Sequence, residues 1–177
     1  MSHPRPPVPA KLVIGVIVRD KKLAIPVCDH LGGAFGDIDM ISPWFPFKDT
    51  AYYESEMGED LHRRMLAFKQ LIDPGRLAWI KNRTNAIEND FLENNRRRAN
   101  IDPGLLTHER FVLATGKNFT HRIYIGQQVY ADLTLIYQQG CFQSLPWTYP
   151  DYRRTNIQDF LLSVRKKYTR DIQTAAL

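Results

Sequence analysis

Two runs of alternating apolar residues flank Gly126 within the segment FVLATGKNFTHRIYIGQQVYADLTLIY, residues 111–137. A glycine at this point supplies the positive φ that a tight strand reversal requires. Matching the apolar faces of the two runs predicts a three-residue loop with Ile125 opposite Val129. The segment therefore predicts a β-hairpin, and a chain built around it must contain a sheet.

The same register places Arg122 opposite Asp132 on the polar face of this hairpin. A two-residue loop would shift the register by one and place His121 opposite Asp132 instead. In both cases a basic side chain meets Asp132, which is most simply a cross-strand ion pair on a wet face contributing well under about 1 kcal/mol. With Lys117, these side chains form the densest group of ionisable residues on the predicted sheet.

Other segments predict the remaining layers. The β-branched run KLVIGVIV, residues 11–18, is typical of a strand buried on both faces. Asp73 and Pro74 are typical of a helix N-cap and first position, and they predict a helix over residues 74–93. Apolar spacing predicts a second helix over residues 155–171. Residues 61–72 fit a helix or a strand, and we favour a strand.

These elements predict one α+β domain over residues 11–177, preceded by an extended, proline-rich arm over residues 1–10. The chain of 177 residues, 44% of them hydrophobic, is long enough to bury a core. We expect a largely antiparallel sheet of five to seven strands with two main helices packed on it.

Four shorter segments have expectations of their own. A short helical turn is predicted at Pro26, ended by the glycines that follow, and Asp102-Pro103-Gly104 predicts a turn. Alternation over residues 50–58 predicts a strand with Glu54 and Glu56 on one face, about 7 Å apart. The two carboxylates could share Mg²⁺ or Mn²⁺ or divide acid and base duties, or they could pair with the arginines at 63–64, which we favour. The run NNRRRAN, residues 94–100, could grip phosphates but is more typical of a solvated loop.

Charge and cysteine usage limit the partners. A formal net charge of +5 favours anionic partners without requiring nucleic acid. Cys28 and Cys141 match no metal or disulfide spacing, and we expect small buried residues in a reducing compartment. No apolar run approaches the roughly 20 residues of a membrane span, and the N-terminus lacks the core of a signal peptide. We therefore expect a cytoplasmic protein with no membrane partner.

The order of several long segments is similar to one bacterial family, named domain of unknown function 4416. The resemblance extends from Lys11 to Tyr168 and is carried by FPFKDTAYYESEMGEDLHRRMLAFKQLIDPGRLAWIKNRTNAIE, NIDPGLLT, PWTYPDYR and the hairpin segment 111–137. It implies a compact bacterial domain and supplies no catalytic residues, since the family name records no activity. A P-loop GTPase is excluded, because Gly116-Lys117 is followed by Asn118 and Phe111 stands where the first glycine would be.

Three functions agree with these observations. The first is a binding domain for a phosphate-bearing ligand, either a nucleotide or RNA, in which cations hold phosphates and aromatic rings stack on a base. The candidate ligand-binding residues are Arg63, Lys117, His121, Arg122, Trp147 and Tyr149. The second is a phosphoester-processing enzyme in which Glu54, Glu56 and Asp132 hold Mg²⁺ or Mn²⁺ and His121 transfers a proton.

The third function is a protein-interaction or scaffold domain that uses the proline-aromatic segments 42–47 and 145–152 and has no small-molecule site. Whether the protein is an enzyme does not follow from the sequence. Convergence of the charged residues on a concave pocket would favour the first two functions, and dispersal over a convex face would favour the third.

Overall fold

A computed structural model describes residues 3–48 and 54–175, and their secondary structure is α+β, as predicted. The helices are α1 (Ala24–Phe35), α2 (Glu54–Met57), α3 (Leu77–Asp90) and α4 (Thr155–Ala175). The strands are β1 (Ala10–Val18), β2 (Ile38–Ile41), β3 (Phe45–Phe47), β4 (Leu61–Ile72), β5 (Leu92–Glu93), β6 (Arg96–Arg97), β7 (Ala99–Leu106), β8 (Arg110–Thr115), β9 (Arg122–Tyr124), β10 (Tyr130–Gln138) and β11 (Cys141–Ser144). Residues 3–9 are exposed and outside these elements.

Nine of the described strands form one antiparallel sheet in the order β11-β10-β8-β7-β1-β4-β2, with β3 also paired to β4 and β9 to β10. The sheet is larger than the predicted five to seven strands because β2, β3 and β11 are three or four residues long. Alternation over so few residues is too short to indicate a strand. The small ribbon β5–β6 stands apart from the sheet.

Helices cover both faces of the sheet. Every residue of β1 is buried, as predicted for a central strand. Its Leu12, Ile14 and Val16 pack in a cluster with α1 and α3, and Val13 packs with α4 on the opposite face. Full burial of one such side chain contributes about 1.5–3 kcal/mol relative to leaving it exposed. None of the described helices is both long and apolar enough to cross a membrane.

The predicted hairpin register is confirmed. Arg122 pairs with Asp132, and Ile125 N–H donates to the Val129 carbonyl at 3.0 Å. The three loop residues, Gly126, Gln127 and Gln128, all have positive φ. The alternative two-residue loop is therefore wrong. The strand preference for residues 61–72 is also confirmed, since they form β4.

Other local expectations are wrong. Helix α1 runs twelve residues through the glycines at 32 and 33 to Phe35, because Val27 and Leu31 are buried in the core and packing outweighs the low helix propensity of glycine. Residues 54–57 are helical, whereas a strand was expected; the rest of that predicted strand at 50–53 and the side chain of Glu54 lie outside the described residues. Cys141 is exposed at the end of the sheet, not buried.

The most consequential correction concerns Asp102-Pro103-Gly104, which lie within β7 and form no turn. Strand β7 pairs with β1 along its whole length but with β8 only through Gly104–Leu106. Successive residues of a strand direct their backbone groups to opposite edges, so Ile101 and Pro103 face the edge that β8 has left. Proline suits this position because it has no N–H to leave unpaired. The sheet therefore opens between β7 and β8.

We predict that Gly104→Ala destabilises the fold. A Cβ at this position would lie 2.6 Å from Phe111 Cζ and 2.9 Å from the Val112 carbonyl oxygen, and Phe111 is itself fully buried. We expect urea denaturation to show a free energy of unfolding that is lower by about 1–3 kcal/mol. Gly33→Ala is the control, because its Cβ would meet nothing within 4 Å in α1 and should stabilise by about 0.5–1 kcal/mol. Equal stability of both variants would contradict this packing.

Candidate functional site

A cleft of about 770 Å³ occupies the opening between β7 and β8. Its walls come from α3, β7, the end of β8 with the turn that follows it, and residues 149–152. The volume lies within the roughly 300–1,000 Å³ typical of small-molecule sites. The charged residues of the lining are Arg63, Lys81, Arg97, Lys117, Arg122, Glu88, Asp102, Asp132 and Asp151.

Two side chains of α3 replace the missing strand at the back of this cleft. Lys81 Nζ donates to the Ile101 carbonyl at 3.0 Å, and Ile101 N–H donates to Glu88 Oε1 at 2.6 Å. Both side chains are buried. Burial raises the pKa of Glu88, and the nearby Lys81 ammonium opposes that shift. At Ile101 the edge of β7 that faces away from β1 is thereby satisfied by an acid and a base that also line the cleft.

Arg63 is held on the floor by charge and by aromatic stacking. Its guanidinium lies 5.0 Å from the Phe47 ring centroid and 4.9 Å from that of Tyr152. It forms ion pairs with Asp102, at 3.1 Å, and with Asp151. Since the residue is only 3% exposed, these four neighbours fix its position.

Arg122 is fastened at the mouth of the cleft by three hydrogen bonds. Nε donates to Asp132 Oδ2 and Nη1 to the Lys117 carbonyl, each at 2.9 Å, and Nη2 donates to the Tyr149 hydroxyl. His121 Nε2 lies 3.1 Å from the same Asp132 oxygen. Burial raises the pKa of Tyr149, although the Arg122 guanidinium favours the phenolate. The Asp132 side chain is 1% exposed, so this is not the wet surface pair that was expected.

Arg97 joins this cleft to a neighbouring one. It forms an ion pair with Glu56, lies 3.6 Å from Glu88 and donates to Asn100 Oδ1 at 3.1 Å. The neighbouring cleft, of about 620 Å³, is bounded by the β5–β6 ribbon. The basic run 94–100 is therefore not only a solvated loop. Glu56 was expected to pair with the arginines at 63–64, and it pairs with Arg97 instead.

The structure brings together sequence-predicted residues from distant parts of the chain. Those that line the cleft are Arg63, Lys117, Arg122, Asp132 and Tyr149. His121 contacts Asp132, and Trp147 stacks on His121 beside the cleft. Glu56 lies in the neighbouring cleft, and the side chain of Glu54 is outside the described residues. In the described parts of the chain, no group of three or more His, Cys, Asp or Glu residues is placed to hold a metal ion.

Sequence reasoning missed several lining residues. Lys81 gave no signal of a place in the cleft, although it lies seven residues before Glu88 on the same face of α3. Asp102 was assigned to a turn. Asp151 gave no signal, because its role depends on Arg63, a residue far away in the sequence.

Comparison with known proteins identifies a family and nothing closer. The family model named Domain of unknown function (DUF4416) matches residues 8–168. No curated protein and no solved structure gives a match.

We predict that Glu88→Gln changes how stability depends on pH. A carboxyl group whose pKa is raised in the folded state stabilises the fold at low pH. This stabilisation is lost as the pH rises from the ordinary pKa of 4.5 through the pKa of the folded state. Glutamine keeps the acceptor for Ile101 N–H without this titration. The unfolding free energy of Glu88→Gln relative to wild type should therefore increase between pH 4 and pH 8 in urea titrations. The exposed Glu59→Gln serves as control, and a pH-independent difference for Glu88→Gln would contradict the assignment.

Proposed function

Because the chain belongs to the family of domain of unknown function 4416, which has no assigned activity, we propose a function from the cleft itself. The protein is a binding domain for a phosphate-bearing ligand of nucleotide size. We further propose that it works in the bacterial cytoplasm, in keeping with its two free cysteines and its resemblance to a bacterial family.

The observation that carries this proposal is the convergence of cations on one concave site. Five cationic side chains from β4, α3, β6, β9 and the turn after β8 line the cleft beside four carboxylates. Arginine and lysine are the residues that bind phosphate most strongly in proteins, arginine through paired N–H donors and lysine as a point charge. Convergence on a pocket favours a ligand site over a convex interaction surface.

The Asp132 carboxylate positions the Arg122 guanidinium without using all of its donors. Arginine has five N–H donors, and Arg122 uses three of them, toward Asp132, the Lys117 carbonyl and Tyr149. Within the described part of the chain two donors remain, in a side chain that lines the cleft as Lys117 also does. A phosphate placed there would meet a guanidinium whose orientation is already fixed, which reduces the entropy lost on binding.

An aromatic wall lies next to these donors. Phe47 and Tyr152 are buried against Arg63, whereas Tyr149 is 37% exposed. A nucleobase could stack on the exposed face of Tyr149 while its phosphate contacts Arg122 and Lys117. The interaction-domain alternative is less well supported, because Phe45 and Phe47 of its proposed 42–47 surface are buried.

We predict that Lys117→Ala weakens nucleotide binding. Loss of one charge-assisted contact typically costs about 1.5–3 kcal/mol, so calorimetric titration with nucleoside monophosphates should show an affinity about 10- to 100-fold lower. Lys166→Ala is the matched control, because Lys166 is an exposed lysine of α4 outside the cleft lining. Unchanged affinity in Lys117→Ala, or no binding of any nucleotide or inorganic phosphate to the wild type, would contradict the proposal.

A further inference from the structure

Beside the cleft lies an aromatic cluster that a mononucleotide would leave unused. It consists of Phe119, His121 and Trp147, here called the rim platform. We propose that the rim platform binds a second base, so that the full ligand is a single-stranded nucleic acid of which the cleft binds one nucleotide. This inference rests on the proposed phosphate-binding function and extends it.

Trp147 is held rigidly and is still accessible. Its indole stacks on the His121 ring with centroids 4.9 Å apart and 13° between planes. Its Nε1–H donates to the Leu133 carbonyl at 2.8 Å. The residue nevertheless remains 38% exposed. An exposed aromatic ring fixed in this way loses little conformational freedom when a ligand stacks on it.

Phe119 extends the platform and is open to solvent. It is 61% exposed, and its ring contacts His121 edge-on with centroids 5.5 Å apart. A phenylalanine side chain has no hydrogen-bonding group, so no polar contact is lost if a base covers it. Phe119 and Trp147 both contact His121, and a contiguous exposed aromatic patch of this kind is typical of a binding surface.

Arg122 connects the rim platform to the cleft. Its guanidinium carbon lies 5.9 Å from the Phe119 ring centroid and 5.8 Å from that of Tyr149. One cation therefore lies within 6 Å of two exposed aromatic rings, one on the rim and one in the cleft wall. A phosphate bound by Arg122 and Lys117 would have a stacking surface near it in each.

That alternation of ring, cation and ring matches a nucleic-acid strand, in which bases alternate with phosphates. Sites for single strands combine positive charge along the backbone with aromatic rings for successive bases, and stacking tolerates any base. RNA and DNA share this chemistry. The segment 117–122 supplies both parts, because Lys117, Phe119 and Arg122 lie within it.

The test compares the pentanucleotides U5 and dT5 with uridine monophosphate, using fluorescence anisotropy and competition. We expect at least one pentanucleotide to bind about tenfold or more tightly than the mononucleotide. Phe119→Ala should weaken pentanucleotide binding by about 5- to 100-fold, as for loss of one stacked base, and leave the affinity for the mononucleotide unchanged. Trp79→Ala is the matched control, because Trp79 is 40% exposed on α3 and outside the cleft lining.

Tryptophan fluorescence gives a second readout, in which Trp147 is replaced by another aromatic residue and is not truncated to alanine. Pentanucleotide should quench the emission of the wild type and of Trp79→Phe, but not that of Trp147→Phe. Preference for U5 identifies RNA as the ligand, and preference for dT5 identifies DNA. Equal affinities for pentanucleotide and mononucleotide, or equal losses in Phe119→Ala and Trp79→Ala, would overturn the platform and leave the mononucleotide site standing. Absence of binding by every probe would overturn the proposed function as well.

Discussion

The hydrogen bonds from Lys81 and Glu88 to the backbone of Ile101 are the interaction on which the cleft depends. A strand that loses its neighbour exposes N–H and C=O groups, and each such group costs roughly 1–3 kcal/mol if buried without a partner. Here one helix supplies a donor and an acceptor from positions two turns apart, and Pro103 removes another N–H from the same edge. The sheet can therefore separate between β7 and β8 while both backbone groups of Ile101 stay hydrogen-bonded.

The hydrogen bonds of Lys81 and Glu88 to Ile101 also place charged side chains in the cleft between β7 and β8. The acid and the base that complete the edge of β7 also line the cleft. Asp102 and Asp151 fix Arg63 in position, and Asp132 fixes Arg122. Buried ion pairs contribute little net stability, because the cost of desolvation offsets the attraction. Their larger effect is to hold the guanidinium groups of Arg63 and Arg122 in one orientation before a ligand binds. The proposed phosphate site depends on this order, because phosphate binding needs oriented donors as well as positive charge and the cleft is nearly balanced in charge.

Sequence patterns were informative wherever a local rule decided the outcome. The register around Gly126 followed from alternation and turn chemistry, and the pairing of Arg122 with Asp132 followed from the register. Patterns failed where distant contacts decided. Residues 102–104 carry a turn signal, but β1 holds them in a strand, and the burial of Asp132 depends on packing that alternation does not encode. The burial of Lys81 likewise depends on a strand that follows it in the chain.

Mapping the ligand directly would test the central claim that phosphate-bearing ligands occupy the opening between β7 and β8. Backbone amide chemical shifts can be followed in an ¹⁵N-labelled protein during titration with uridine monophosphate. The account predicts the largest shifts at Ile101, whose N–H bonds to Glu88, and at residues 115–117 and Arg122, which line the cleft. Shifts confined to the neighbouring cleft beside β5 and β6, or to the exposed side of α4, would contradict it.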